Sequence, residues 1–94
     1  MAAMVSDGSL VLNDDVVWRQ TDDEVVILDV ESAEYFSLNK TGSKMFLAIT
    51  RGEPTESIIQ TLRQEYGVEE SVVRRDLDAL VQQLSEHKIL GRKP

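Results

Sequence analysis

The side chains that could carry out a reaction are few in this chain. It holds a single histidine, His87, and no cysteine. A nucleophile–base–orienter set needs several such groups to converge, and a structural or catalytic zinc site needs three or four nitrogen or sulfur ligands. Thiolate metal sites, iron–sulfur clusters and a cysteine nucleophile are therefore excluded. The acidic residues that stand together are the adjacent pairs Asp14-Asp15, Asp22-Asp23 and Glu69-Glu70. Adjacent carboxylates suit turns and helix starts better than acid/base work, and their spacing is not that of a calcium loop. The five glycines are scattered and build no phosphate loop. His87 reads as a solvated residue near a helix end. The expectation is a protein that is not an enzyme, with no catalytic residue, no metal and no cofactor.

What remains is the chemistry of the main chain, and it centres on Glu34-Tyr35-Phe36-Ser37-Leu38. This run precedes Asn39, a good helix N-cap because its side chain accepts from the first free helical N–H groups. Before it the chain reads as strands: Val16 to Thr21, rich in β-branched and aromatic residues, then Glu24 to Val30, a nearly continuous apolar run, with Asp22-Asp23 as the turn. Connections this short make a three-stranded antiparallel meander. Period-2 alternation puts Phe36 and Leu38 toward the core and Tyr35 and Ser37 on the opposite face.

After it the chain reads as three helices. Lys40 to Arg51 places Met45, Phe46 and Ile49 on one stripe and ends at Gly52; Gly42 would let it approach a neighbour closely. Glu56 to Tyr66, after Pro54 and Thr55, carries Ile58, Ile59, Leu62 and Tyr66. Glu69 to Lys88 carries Val73, Leu77, Leu80, Val81 and Leu84, before Ile89-Leu90 close the bundle. The fold class is α+β: a three-stranded antiparallel sheet followed by three helices, as in a winged helix-turn-helix domain. Residues 1–94 form a single domain with a core over about 15–91 and loose ends.

A net charge of −7 argues against nucleic acid, whose binding draws on phosphate neutralisation by Lys and Arg. The last helix is itself net acidic, a poor fit to the major groove, so a winged-helix DNA-binding regulator stays the minor alternative. No apolar run approaches a membrane span, and the N-terminus lacks the pattern of a signal peptide. A cytoplasmic location with no membrane partner is expected.

A meander has two edge strands with unpaired N–H and C=O groups. An extended peptide could add along Glu34 to Leu38 as a further strand, its alternate side chains falling against the last helix. There Val72, Asp76, Ala79 and Gln83 form a mixed stripe suited to a groove wall. A second reading competes on equal terms: Ser9-Leu10-Val11-Leu12 is apolar enough to cover this edge itself.

The ordered set Tyr35-Phe36-Ser37-Leu38-Asn39-Lys40-Thr41-Gly42, Gly52-Glu53-Pro54-Thr55, Ile58-Ile59, Leu62, Tyr66-Gly67-Val68, Val73, Asp76-Leu77, Leu80, Leu84 and Ile89-Leu90-Gly91 resembles the PqqD-like family over about residues 15–91. The resemblance implies the fold called the RiPP recognition element. It implies a non-enzymatic protein that binds the leader of a ribosomally made precursor peptide and delivers it to a tailoring enzyme. The leader would lie along Glu34, Tyr35, Phe36, Ser37 and Leu38, against Val72, Asp76, Ala79 and Gln83, with Arg75 at the rim. Two pathways fit a free-standing domain of this kind. One is the pyrroloquinoline quinone peptide chaperone. The other, which the Tyr35-to-Asn39 pattern and the acidic charge resemble more, is the lasso-peptide protein whose partner is a leader peptidase on a separate chain. Family members can dimerise, so a homodimer is a further expectation.

Overall fold

The structure, a computed structural model, describes residues 10–92. Its elements run β1 (Leu10–Leu12), β2 (Val16–Thr21), β3 (Glu24–Asp29), β4 (Glu34–Leu38), α1 (Lys40–Thr50), α2 (Thr55–Tyr66), α3 (Glu70–Glu86) and β5 (Leu90–Arg92). Strands β2, β3 and β4 form the antiparallel meander in that order. The fold class is α+β: the three-stranded antiparallel sheet and three helices expected, with β1 and β5 forming a separate two-stranded sheet. The β2–β3 hairpin turns on Asp22-Asp23, with Asp22 at φ 39°, a conformation short acidic side chains tolerate.

One face of the sheet is covered by the helices. Val25, Ile27, Met45, Phe46, Ile58, Ile59, Leu62, Val73, Leu77 and Leu84 make the centre of the core. Trp18 sets its ring edge-on to Phe46 at 5.5 Å. All three helical stripes face this centre, with one exception. Tyr66 is not core but 37% exposed, its ring 5.2 Å from the Lys44 ammonium; the cation–π contact keeps the ring at the surface. Lys44 also pairs with Glu65, which raises its pKa.

The chain ends depart from the sequence reading. Helix α3 stops at Glu86, not Lys88. Lys88 adopts φ 61°, the Ile89 N–H reaches the Leu84 carbonyl at 2.8 Å, and the Lys88 N–H reaches that of Ser85 at 3.0 Å. This is the helix stop that glycine usually makes. It throws Leu90–Arg92 back as β5, paired antiparallel with β1. Asn13 secures the junction, donating its backbone N–H to the Ile89 carbonyl and its side-chain Nδ2 to that of Lys88. The expected loose stretch at Gly91 is therefore a strand, whereas Met1–Ser9 and Lys93–Pro94 lie outside the described residues.

Lys88→Gly should relieve the left-handed strain and raise stability by about 0.5–1 kcal/mol, a few degrees in the thermal midpoint. A lower midpoint would mean that the lysine side chain contributes more than its backbone costs.

Gly42 serves a closer neighbour than another helix. A Cβ there would meet the Asn39 Oδ1 at 3.2 Å and the Leu38 Cβ at 3.7 Å. Asn39 caps α1 as expected, accepting from the Gly42 N–H at 2.7 Å.

Candidate functional site

The meander's last strand pairs on one side only. Among the described residues β4 has β3 as its sole neighbour, because β1 pairs with β5 instead. The reading in which Leu10 to Leu12 cover the Glu34-to-Leu38 edge is thereby overturned.

Which main-chain groups face that edge follows from the ladder. In an antiparallel pair, hydrogen-bonded and non-hydrogen-bonded residue pairs alternate. The Val30 N–H donates to the Asp15 carbonyl at 2.9 Å, so Val26 and Leu28 turn their main-chain groups toward β2. Val25 and Ile27 then turn theirs toward β4, where they oppose Leu38 and Phe36. Tyr35 and Ser37 are left with their N–H and C=O groups pointing outward along the free edge.

A buried hydroxyl supports the same alternation. The Val25 N–H donates to the Ser43 Oγ at 2.8 Å, and that hydroxyl donates to the Leu38 carbonyl at 3.1 Å. Ser43, only 2% exposed, thus bridges the two groups that a direct ladder bond would join. It fixes the end of β4 to the first turn of α1.

Between β4, the start of α1 and α3 lies a cavity of about 400 Å³. Ser37, Leu38, Asp76, Ala79 and Gln83 line it, joined by Asn39, Thr41, Gly42, Met45 and Leu80. A second cavity of about 310 Å³ continues past Asp76 along α3, walled by Val72, Tyr66, Val68 and Leu62. Strand alternation had put Ser37 on the face of the sheet away from the helices, yet its position at the rim lets it line the cavity. Leu38 is buried at 8% exposure, as expected of a core residue, whereas Phe36 is only half-buried.

The other candidates fall outside both cavities. Tyr35 is 71% exposed on the far face of the sheet. Arg75 is exposed on α3. Glu34 stands at the start of β4, with an oxygen 4.0 Å from the His87 Nδ1. His87 is exposed, as expected of a solvated residue near a helix end, and its ring also packs against Phe36 with centroids 4.8 Å apart. It stands beside Phe36 and Glu34 on β4, a placement hidden in the sequence because it depends on the helix stopping at Glu86. Below the groove, Arg74 bridges Glu56 and Glu70 between α2 and α3. Its guanidinium lowers the Glu70 pKa, and its own is raised in turn, chiefly by the hydrogen bond to Glu70.

The model of the family described as Coenzyme PQQ synthesis protein D (PqqD) matches residues 24–90. The chain belongs to the PqqD family. Among solved structures, this PqqD-family chain is similar to TbiB1 in complex with the TbiA(beta) leader peptide. That match has 33% identity and a TM-score of 0.79, over 84% of this chain and 92% of the other. It is also similar to lasso peptide synthetase B1 complexed with the leader peptide. There the identity is 32% and the TM-score 0.83, over 88% of this chain and 98% of the other. Comparison with curated proteins yields no match.

Two further observations bear on partners of this PqqD-family chain. On the face of the sheet away from the helices, Val17, Leu28 and Tyr35 form one cross-strand row. They are 52%, 38% and 71% exposed, with Val30 beyond them at 58%. Among the described residues, no helix is long and apolar enough to cross a membrane.

Proposed function

We propose that the protein is a non-catalytic adaptor. It binds the leader of a ribosomally made precursor peptide as an added strand along β4 and delivers it to a processing enzyme on another chain, the leader peptidase of lasso-peptide biosynthesis. The observation that carries this reading is the free edge of β4, whose outward groups at Tyr35 and Ser37 run beside a cavity walled by α3. Backbone pairing would supply affinity for any extended chain, and the cavity would supply selectivity. The alternative reading of the same surface is a peptide chaperone of the pyrroloquinoline quinone pathway, whose family model the chain matches. The lasso-peptide assignment is favoured by the likeness to lasso peptide synthetase B1 complexed with the leader peptide.

The contribution to processing is effective concentration: once leader and enzyme share one adaptor, their meeting becomes intramolecular. The exposed apolar row Val17–Leu28–Tyr35 supports a second, protein partner, since uncovered apolar patches of this kind mark interaction surfaces.

Fluorescence anisotropy tests the reading. The probe is the labelled leader of a small precursor peptide, to be sought among the genes next to this chain's own. Saturable binding is expected. No binding of that leader, together with salt-sensitive binding of duplex DNA, would favour the regulator instead. Asp76→Arg should weaken leader binding about tenfold without unfolding the domain. An unchanged affinity would remove Asp76 from the groove but leave edge pairing in place.

A further inference from the structure

Among the described residues, Asp76 is a carboxylate without a counter-charge. Its helical neighbours three and four residues away are Val72, Val73, Ala79 and Leu80, so nothing one turn along its own helix can pair with it. Glu70, by contrast, has Arg74 one turn on. Arg75 is adjacent in sequence, but the next residue of a helix projects about 100° away around the axis. Among the described residues no ion pair to Asp76 forms.

Asp76 also stands where the two cavities meet and, among the described residues, is the only charged one lining either. The first cavity's apolar lining of Leu38, Met45 and Leu80 is buried, and its remaining polar side chains are neutral. An apolar bed ending at a lone carboxylate suits a side chain with a methylene stem and a cationic head, which lays the first on the bed and carries the second to the rim.

The ladder says where in a bound peptide that side chain would stand. Peptide residues bonded to Tyr35 and Ser37 form hydrogen-bonded pairs, so their side chains share the outer face with those two. The residues opposite Phe36 and Leu38 turn inward. Leu38 and Asp76 line the same cavity, whereas Phe36 lies under the His87 ring.

We infer that the groove selects an extended peptide with a lysine or arginine at the inward position opposite Leu38, and that Asp76 is the counter-charge that reads it. The position two residues along, opposite Phe36, takes an uncharged side chain. This inference rests on the strand-addition reading above and adds the chemistry of the guest.

The test is selection of a displayed library of random heptapeptides on the wild-type protein, on Asp76→Asn and on Asp76→Lys, each checked for folding by circular dichroism. Asp76 is exposed, so all three should fold. The wild type should enrich lysine or arginine at a single position by about fivefold, the worth of an exposed ion pair. Asp76→Asn should lose that preference, and Asp76→Lys should replace it with aspartate or glutamate at the same position. Two results overturn the inference alone: peptides enriched without a cationic position, or a cationic preference that survives Asp76→Lys. If the folded wild type enriches no peptide, the strand-addition reading falls and this inference with it.

Discussion

A Ser37→Pro variant is expected to lose its peptide and keep its fold. The Ser37 N–H points away from β3, so proline there removes no bond of the native ladder, and edge positions of this kind are where sheets accept proline. A strand added to β4 would lose that N–H as a donor, leave its own carbonyl unpaired, and meet the proline ring in the space it must enter. One lost hydrogen bond and one stranded acceptor together cost about 3 kcal/mol, roughly a hundredfold in affinity. Phe36→Pro is the contrasting variant. Its N–H faces Ile27 across the ladder, so it should unfold the sheet. Circular dichroism and anisotropy on the two variants separate the outcomes. A folded Ser37→Pro protein with wild-type affinity would refute strand addition at this edge.

Ser43→Ala, beneath the groove, should carry a larger stability loss than a single-oxygen deletion at any residue lining it. The hydroxyl satisfies the Val25 N–H and the Leu38 carbonyl at once, and its site is sealed, with Met45 and Phe46 buried beside it. Two stranded main-chain groups at about 1–3 kcal/mol each give a loss of about 2–6 kcal/mol. For a domain of this size that is a fall of at least about 10 °C in the thermal midpoint. A fall under about 2 °C would show that β3 and β4 close together by one oxygen's width and restore the direct bond. In that case leader affinity should still drop, because the C-terminal end of β4 would have moved relative to α3.

The core was legible because its signals are local. Met45, Phe46 and Ile49 fall at helical spacing, and the apolar run through Val25 and Ile27 marks a strand, although its continuity hid that only one face is buried. Asn39 and Gly52 mark the ends of α1 through backbone chemistry that belongs to single residue types. The side chains of the groove were legible as far as strand and helix periodicity reach: the helical stripe Val72, Asp76, Ala79 and Gln83 and the inward Leu38 do line the cavities, whereas alternation turned Ser37 away from a cavity that it lines. Arg75 and Tyr35 were not separated from them, because periodicity names a face but not what stands opposite it. The direction of each N–H in β4 needed the ladder, and the ladder needed two long-range facts, the Asp15–Val30 bond and the Ser43 bridge. The β1–β5 pairing was out of reach for another reason. Each strand is three residues long, too short for any periodicity, and they stand at opposite ends of the sequence. The left-handed turn at Lys88, which sets both β5 and the place of His87, occurs at a residue with no preference for it.

The pairing of Leu12 with Leu90 closes most of the chain into a single loop. Contacts between residues so far apart in sequence carry the highest entropic cost of closure and are made late in folding. The hairpins of the meander and the helices can form before it, and with them the β4 edge and the α3 wall. Asn13 then reaches the Lys88 carbonyl only when the two ends meet. The order of assembly thus builds the docking edge first and fastens the far end of its helical wall last. A transient parting of the two terminal strands would loosen the packing of His87 on Phe36 while leaving the groove at Asp76 intact.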